Sequence, residues 1–152
     1  MIHVVLVEPQ IPPNTGNIAR LCAGLGLSLH LIKPLGFSLS DRYLKRAGLD
    51  YWPHVKLHVH DSWDAFRQEY PEGNFYYLTT KSKRPYTSVQ FQKGDFLVFG
   101  SETTGLPAKL LTASLDNTLT IPITGPIRSF NLSSTVAMVV GEAVRQITPG
   151  RF

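Results

Sequence analysis

The chain holds one cysteine, two methionines and no apolar run of membrane-spanning length. A single cysteine, Cys22, excludes an internal disulfide and suits a reducing compartment. Its place on an apolar helical stripe predicts a packed thiol, not a reactive one. The shortage of long apolar runs excludes a transmembrane helix. Met1-Ile2-His3-Val4 carries no basic stretch and runs straight into a strand-like pattern, so it does not read as a signal peptide. Two nucleotide-binding signatures are missing as well. There is no Gly-x-Gly-x-x-Gly and no Gly-Lys-Ser/Thr, which leaves a dinucleotide fold unsupported and excludes a P-loop.

What is present is ordinary for a globular domain. The 152 residues are 43% hydrophobic and 17% charged, enough to build a core and too apolar for disorder. They read as one domain spanning 1–152, with no linker, repeat or low-complexity tract. The net charge of +4 permits attraction to phosphate without requiring it.

Short runs of Val, Ile, Leu, Phe and Tyr recur at 3–7, 28–32, 56–60, 75–79, 96–99 and 119–123, as expected of strands buried on both faces. Helical spacing lies between them. Ile18, Leu21, Cys22 and Leu25 share one face of a helix opened by Asn14 or Thr15. Trp63, Phe66 and Tyr70 mark another, capped by Asp61 or Ser62. Val136, Val139, Val140, Ala143, Val144 and Ile147 mark the last, with Ser133 or Ser134 near its start. Residues 41–47 predict a further short helix. Alternating strands and helices predict an α/β fold with a mostly parallel sheet flanked by helices.

Three segments interrupt this regularity with polar residues. Leu97-Val98-Phe99-Gly100 delivers a buried strand to the turn Ser101-Glu102-Thr103-Thr104-Gly105, before Leu106-Pro107 opens a helix. Gly125-Pro126-Ile127-Arg128-Ser129-Phe130-Asn131-Leu132-Ser133-Ser134 follows Ile121-Pro122-Ile123. Near the start stands Pro12-Pro13-Asn14-Thr15-Gly16-Asn17-Ile18-Ala19-Arg20. Each has a plain structural reading. The first is a tight strand-to-helix connection, the third is a capped helix whose Arg20 is solvated opposite the apolar stripe, and the second is a capped helix entry. Loops beyond the carboxyl ends of parallel strands are also where open α/β folds bind ligands.

Taken together, in this order and spacing, the three segments resemble the SPOUT class of RNA methyltransferases. The likeness is greatest to the small tRNA 2'-O-methyltransferases that act on the wobble cytidine or uridine. It runs from Val5 to about Gln146. The segments Glu8–Arg20, Arg46-Ala47-Gly48-Leu49-Asp50-Tyr51 and Leu78-Thr79-Thr80-Lys81 carry the subgroup character. The resemblance implies a C-terminal trefoil knot formed by the two later loops, S-adenosylmethionine (AdoMet) as methyl donor, S-adenosylhomocysteine as product, and no metal. It implies cofactor contacts, largely main-chain, at Leu78, Gly100, Ile121 and Ser129, with Thr79, Glu102, Phe130 and Leu132 beside them. It places Asn14, Arg20, Ser129 and Asn131 in the catalytic site and turns Arg128 toward RNA. Lys81, Lys83 and Arg84 form a basic cluster that fits phosphate in such an enzyme. A tRNA substrate and a homodimer with a shared active site follow from the same likeness, while the single cysteine and the lack of a long apolar run point to a cytoplasmic location and no membrane association.

Two rivals stand beside this expectation: a non-catalytic RNA- or nucleotide-binding module of the same fold, and a 2'-O-methyltransferase of another RNA. Three departures from the subgroup pattern bear on them. Thr104 replaces a common arginine, Gly141 a common tyrosine, and Lys33 a common acidic residue. His54, His58 and His60 invite a metal reading, but Lys56, His58 and His60 alternate with Val55, Leu57 and Val59 and predict one polar face of a strand.

Overall fold

The computed structural model describes residues 1–48 and 51–152, so Leu49 and Asp50 of the Arg46–Tyr51 segment lie outside the described residues. Six strands form one parallel sheet in the order β3-β2-β1-β5-β4-β6. They are β1 (His3–Val7), β2 (Ser28–Ile32), β3 (Lys56–His60), β4 (Phe75–Leu78), β5 (Phe96–Phe99) and β6 (Thr118–Leu119). Among the described residues, five α-helices connect or follow them: α1 (Pro12–Leu25), α2 (Arg42–Gly48), α3 (Trp63–Glu69), α4 (Ala108–Ala113) and α5 (Leu132–Ile147).

Successive strand residues face opposite sides of the sheet, and both sides are apolar, so each must be covered. Val4, Leu6, Leu29, Leu31, Leu97 and Phe99 point to one side, where Ile18 and Cys22 of α1 and Val136, Val139, Val140, Ala143 and Val144 of α5 bury them. Val5, Val7, Phe75, Tyr77, Phe96 and Val98 point to the other, against Phe66 of α3 and Leu110 and Leu111 of α4. Burial pushes the Cys22 thiol up to about 12, so it is held as the inert neutral form.

Several local expectations need correction. Helix α1 begins at Pro12, ahead of Asn14 and Thr15, and no side chain caps it. Proline fits the first turn of a helix because its missing N–H would have no intrahelical partner. Asn14 is thereby freed for other work. Helix α5 is capped by Asn131, whose Oδ1 accepts from the main-chain N–H groups of Ser133 and Ser134. Ser62 caps α3 as expected.

The last strand is shorter than its apolar run. Past Leu119 the ladder passes to another segment: Thr120 donates its N–H to Arg84 O and accepts from Tyr86 N. Pro122 has no N–H with which to continue. The chain leaves the sheet there and becomes the wall of a cavity.

The polar face expected on β3 is present but only partly exposed. Lys56 and His58 are exposed, but His60 is buried. It ends a row of imidazoles that crosses three strands. His3 Nδ1 lies 2.9 Å from His30 Nε2, and His30 Nδ1 lies 3.0 Å from His60 Nε2. His60 Nδ1 faces Glu69 Oε2 at 3.4 Å. The carboxylate fixes the tautomers in turn: each ring carries its proton on Nδ1, and His30 and His60 accept at Nε2. All three pKa values are lowered by burial first of all, His30 to about 3. The row is therefore neutral.

Candidate active site

In open α/β sheets ligands bind beyond the carboxyl ends of the strands, where the strand order reverses. Here the reversal falls between β1 and β5. The segments after both strands are joined at that point by one side chain. Glu102 Oε1 accepts from Gln10 N at 2.8 Å, and Glu102 Oε2 accepts from Ile11 N at 2.8 Å. The two N–H groups lie just before α1, whose first turn no side chain caps. The turn they hold contains Glu8, in the left-handed region at φ 54°. A non-glycine residue there costs roughly 1–2 kcal/mol, a strain that the paired main-chain bonds offset.

The same carboxylate reaches the third segment through Asn14. Asn14 Nδ2 donates to Glu102 Oε2 at 3.2 Å, and Asn14 Oδ1 accepts from Asn131 Nδ2 at 3.1 Å. Asn131 Oδ1 then takes the first N–H groups of α5. One continuous chain of hydrogen bonds thus runs from the β5 loop through α1 to the start of α5. Asn14 is buried, so both ends of its amide need these partners.

The β5 loop is closed on itself. Ser101 and Gly105 exchange main-chain bonds at 3.3 and 3.0 Å, and Ser101 Oγ meets Thr104 Oγ1 at 2.8 Å. A Cβ on Gly100 would stand 2.2 Å from both Gly105 C and Leu106 N. Glycine at this position lets the loop fold back on its own strand. Thr104, where the subgroup commonly has arginine, contributes to that closure.

These loops enclose a cavity of about 550 Å³, within the range that holds small-molecule ligands. Its lining brings together Asn14, Leu78, Thr79, Gly100, Glu102, Ile121, Ser129, Phe130, Asn131 and Leu132, with Lys81 and Arg128 on the same wall. Leu78, Phe99, Ile121 and Leu132 supply apolar walls, and the main-chain groups of the three loops supply polar edges. Such a lining fits a purine nucleoside with a charged tail. Ile11, Thr120, Ile123 and Thr135 also line it. Sequence reasoning passed over them because none is charged or titratable, so none stands out by residue type. The signal that could have found them is adjacency to the quoted segments.

Three expected site residues are elsewhere. Arg20 does not line the cavity; it is exposed on α1, its guanidinium 4.8 Å from the Tyr51 ring centre. Arg84 donates to Asp116 O at 2.9 Å, and Lys83 is exposed outside the lining. Among the described residues, no group of three or more His, Cys, Asp or Glu side chains is placed to hold a metal ion.

Residues 1–141 match the SpoU rRNA Methylase family. The chain belongs to that family. A relative from Geobacillus stearothermophilus is 54% identical over 148 residues, 95% of this chain and 94% of its own length. Relatives from Burkholderia cenocepacia and Escherichia coli K12 are 50% and 46% identical, over 96% and 97% of this chain and 96% and 94% of their own. Both are named tRNA (cytidine(34)-2'-O)-methyltransferase. Among solved structures, one concerned with the 2-OH methylation of C/U34 on tRNA is 47% identical with a TM-score of 0.92, covering 96% of this chain and 95% of that one. A SpoU methyltransferase of Streptomyces viridochromogenes in complex with AdoMet shares the fold at a TM-score of 0.80 and 22% identity, over 95% of this chain and 59% of its own. The glycine-bounded β5 loop and the Asn131 cap both lie within the segment that matches the SpoU family.

Proposed function

We propose that this SpoU-family chain transfers the methyl group of AdoMet to the ribose 2'-hydroxyl of the wobble nucleotide, C or U, in a tRNA anticodon loop. The observation that carries the reading is a match of about half identity, over nearly the whole chain, to relatives named for this reaction. The three segments that bear the likeness meet at one cavity.

Main-chain groups of Leu78, Gly100, Ile121 and Ser129 would hold the adenosine, with Thr79, Phe130 and Leu132 as walls. Bound AdoMet supplies an activated methyl on a sulfonium. The protein's task is to orient the hydroxyl in line, keep the site dry and help remove one proton. Asn131 and Ser129 would orient the ribose. Glu102 acts as a positioning residue, since its carboxylate already accepts two main-chain N–H groups and one amide. Arg128 and Lys81 would take phosphate at the cavity mouth, with Lys83 and Arg84 further along the RNA. Guanidinium stays protonated, so Arg20 would hold the neighbouring phosphate and let that phosphate take or relay the proton.

Arg20 lies outside the cavity of its own protomer, which supports a homodimer in which a second copy completes the site. The apolar stripe of α5 is a weaker cue, because its valines and Ala143 are buried within the chain. The trefoil knot belongs to the same reading, with Gly100–Pro107 and Ile121–Ser134 as its loops. So does a cytoplasmic location beside tRNA; among the described residues no helix is long and apolar enough to cross a membrane. A non-catalytic module is the poorer reading, since Thr104 keeps the loop closed without the missing arginine.

The test is nucleoside mass spectrometry of unmodified tRNA after incubation with the protein and AdoMet. The expected product is 2'-O-methylcytidine or 2'-O-methyluridine at the wobble position. Folded protein that binds AdoMet yet leaves every tRNA ribose unmethylated overturns the assignment.

A further inference from the structure

Helix α2 buries Leu44 against the body of the protein and packs along α1. Gly16 of α1 makes the approach possible. A Cβ there would stand 2.5 Å from Ala47 Cβ and 2.8 Å from Leu44 O. Docked in this way, α2 presents Arg42, Tyr43, Lys45 and Arg46 to solvent. Tyr43 is 50% exposed and Tyr51, just beyond the helix, is 39% exposed.

Each tyrosine carries a guanidinium on its face. Arg42 Cζ lies 4.8 Å from the Tyr43 ring centre, and Arg42 Nη2 donates to the Tyr43 hydroxyl at 2.9 Å. Arg20 lies 4.8 Å from the Tyr51 ring centre, with Nη2 3.5 Å from its hydroxyl. Among the described residues, none of Arg20, Arg42, Lys45 and Arg46 is in an ion pair; the pairs there are Lys33–Asp61, His60–Glu69 and Glu142–Arg145. Asp41, the acid beside them in sequence, directs Oδ1 to the N–H groups of Tyr43 and Leu44.

We propose that this face, α2 with Arg20 and Tyr51, docks the single-stranded RNA that flanks the methylated nucleotide. The inference rests on the proposed function and adds a surface that the cavity does not include. Cations that no described carboxylate pairs call for a polyanion. Exposed rings backed by planar guanidinium groups call for flat, unstacked bases. Single-stranded RNA offers both at once, phosphates and bases splayed from them. An acidic polypeptide offers the charge without the flat faces. Location agrees as well. Asn14 lines the cavity, and Arg20 lies six residues further along α1, roughly 9 Å up the helix axis. In the proposed dimer Arg20 serves the cavity of the second copy, so a strand leaving that cavity would meet this face within a few nucleotides.

The experiment is fluorescence anisotropy with a labelled, unmodified anticodon stem-loop RNA over a salt series. It compares wild type with the triple variant R42Q/K45Q/R46Q and with Tyr43→Ala and Tyr43→Phe. AdoMet calorimetry on each reports folding, because none of these residues lines the cavity. The triple variant should bind RNA at least about tenfold more weakly, with a salt slope shallower by about two, at roughly 0.7 per neutralised phosphate. Tyr43→Ala should lose about tenfold with an unchanged slope, and Tyr43→Phe should bind as wild type, since stacking needs the ring alone. A triple variant with wild-type affinity and slope overturns the proposal. So does displacement of the RNA by polyglutamate at matched charge, which would make this a protein-docking face. Wild type that shows the expected RNA differences but methylates nothing leaves the surface standing and removes the activity instead.

Discussion

Asn131 donates from Nδ2 to Asn14 Oδ1 at 3.1 Å across 117 positions of sequence. Both amides are fully oriented by what lies beyond them. Asn14 Nδ2 must face the Glu102 carboxylate, and Asn131 Oδ1 must face the N–H groups of α5. The pair has one workable arrangement, so it sets the spacing of three loops.

The first prediction follows from that polarity. Asn14→Asp is nearly isosteric and keeps the acceptor for Asn131 Nδ2, but it turns a second carboxylate oxygen toward Glu102. It should destabilise the fold by about 1–3 kcal/mol at neutral pH, the usual cost of leaving a buried polar group mismatched. Mild acid should restore much of the loss by protonating one of the two carboxyl groups. Glu102→Gln should lose about 1.5–3 kcal/mol, the scale of hydrogen bonds to a charged group, with no such acid recovery. Denaturant unfolding of both variants at neutral and mildly acidic pH separates the two behaviours.

That amide pair also marks how far the sequence could be read. Strands rich in Val, Leu and Phe announced themselves, because burial on both faces leaves a continuous apolar run. The three polar segments were recognisable as a set for the same reason, being breaks in that pattern. The partners inside the set were not. Asn14 at the start of an apolar stripe has the look of a helix cap, and only the two prolines ahead of it move the helix start to Pro12. Glu102 looked like a cofactor-loop acid, whereas its oxygens face Gln10 and Ile11. Nothing local distinguishes these roles, since they depend on strands β1 and β5 lying side by side. The imidazole row was illegible for the same reason. His3, His30 and His60 align only through the registers of three strands.

The second prediction concerns that row. His30 is fully buried, and its pKa is lowered from 6.5 to about 3 by burial and by the neighbouring His3, His58 and His60. The unfolded chain therefore binds a proton that the folded state refuses. Stability should be complete above about pH 6.5 and should fall as the pH drops from there toward 3. With about 1.4 kcal/mol per pH unit for one such group, roughly 2 kcal/mol goes between pH 6.5 and pH 5. His30→Gln keeps a donor and an acceptor but cannot titrate. Its unfolding free energy should be lower at pH 8 and less steep in acid. Parallel slopes for the variant and wild type would show that other groups set the acid limit.

The third prediction contrasts two glycines. Gly100 is enclosed, as the 2.2 Å approaches show, whereas a Cβ on Gly141 in α5 would meet no atom within 4 Å. Gly100→Ala should open the β5 loop, lower Tm and abolish AdoMet binding. Gly141→Ala should stabilise the fold by about 1 kcal/mol, the helix-propensity difference between the two residues. Thermal melts with and without AdoMet measure both. Gly141→Ala that destabilises would mean that a second subunit packs tightly on this helix.

The fourth prediction asks where Arg20 acts. Its guanidinium rests on Tyr51 at the surface, outside the cavity of its own chain. If it holds substrate phosphate, Arg20→Ala should slow single-turnover methylation at least about a hundredfold, several kcal/mol on the transition-state scale. AdoMet affinity should hold. Arg20→Lys should rescue poorly, because an ammonium lacks the planar fork. Mixing subunits then separates the two geometries. Leu132→Trp fills the cavity and should bind no cofactor, so neither it nor Arg20→Ala is active alone. In a dimer with a shared site, the mixed species has one complete centre: an open cavity from the Arg20→Ala chain and an intact arginine from the Leu132→Trp chain. Random exchange makes half of all dimers mixed, each with one working site of two, so activity should return to about a quarter of wild type. If Arg20 serves the cavity of its own chain, every site in every dimer lacks either the arginine or the cofactor, and the mixture stays silent.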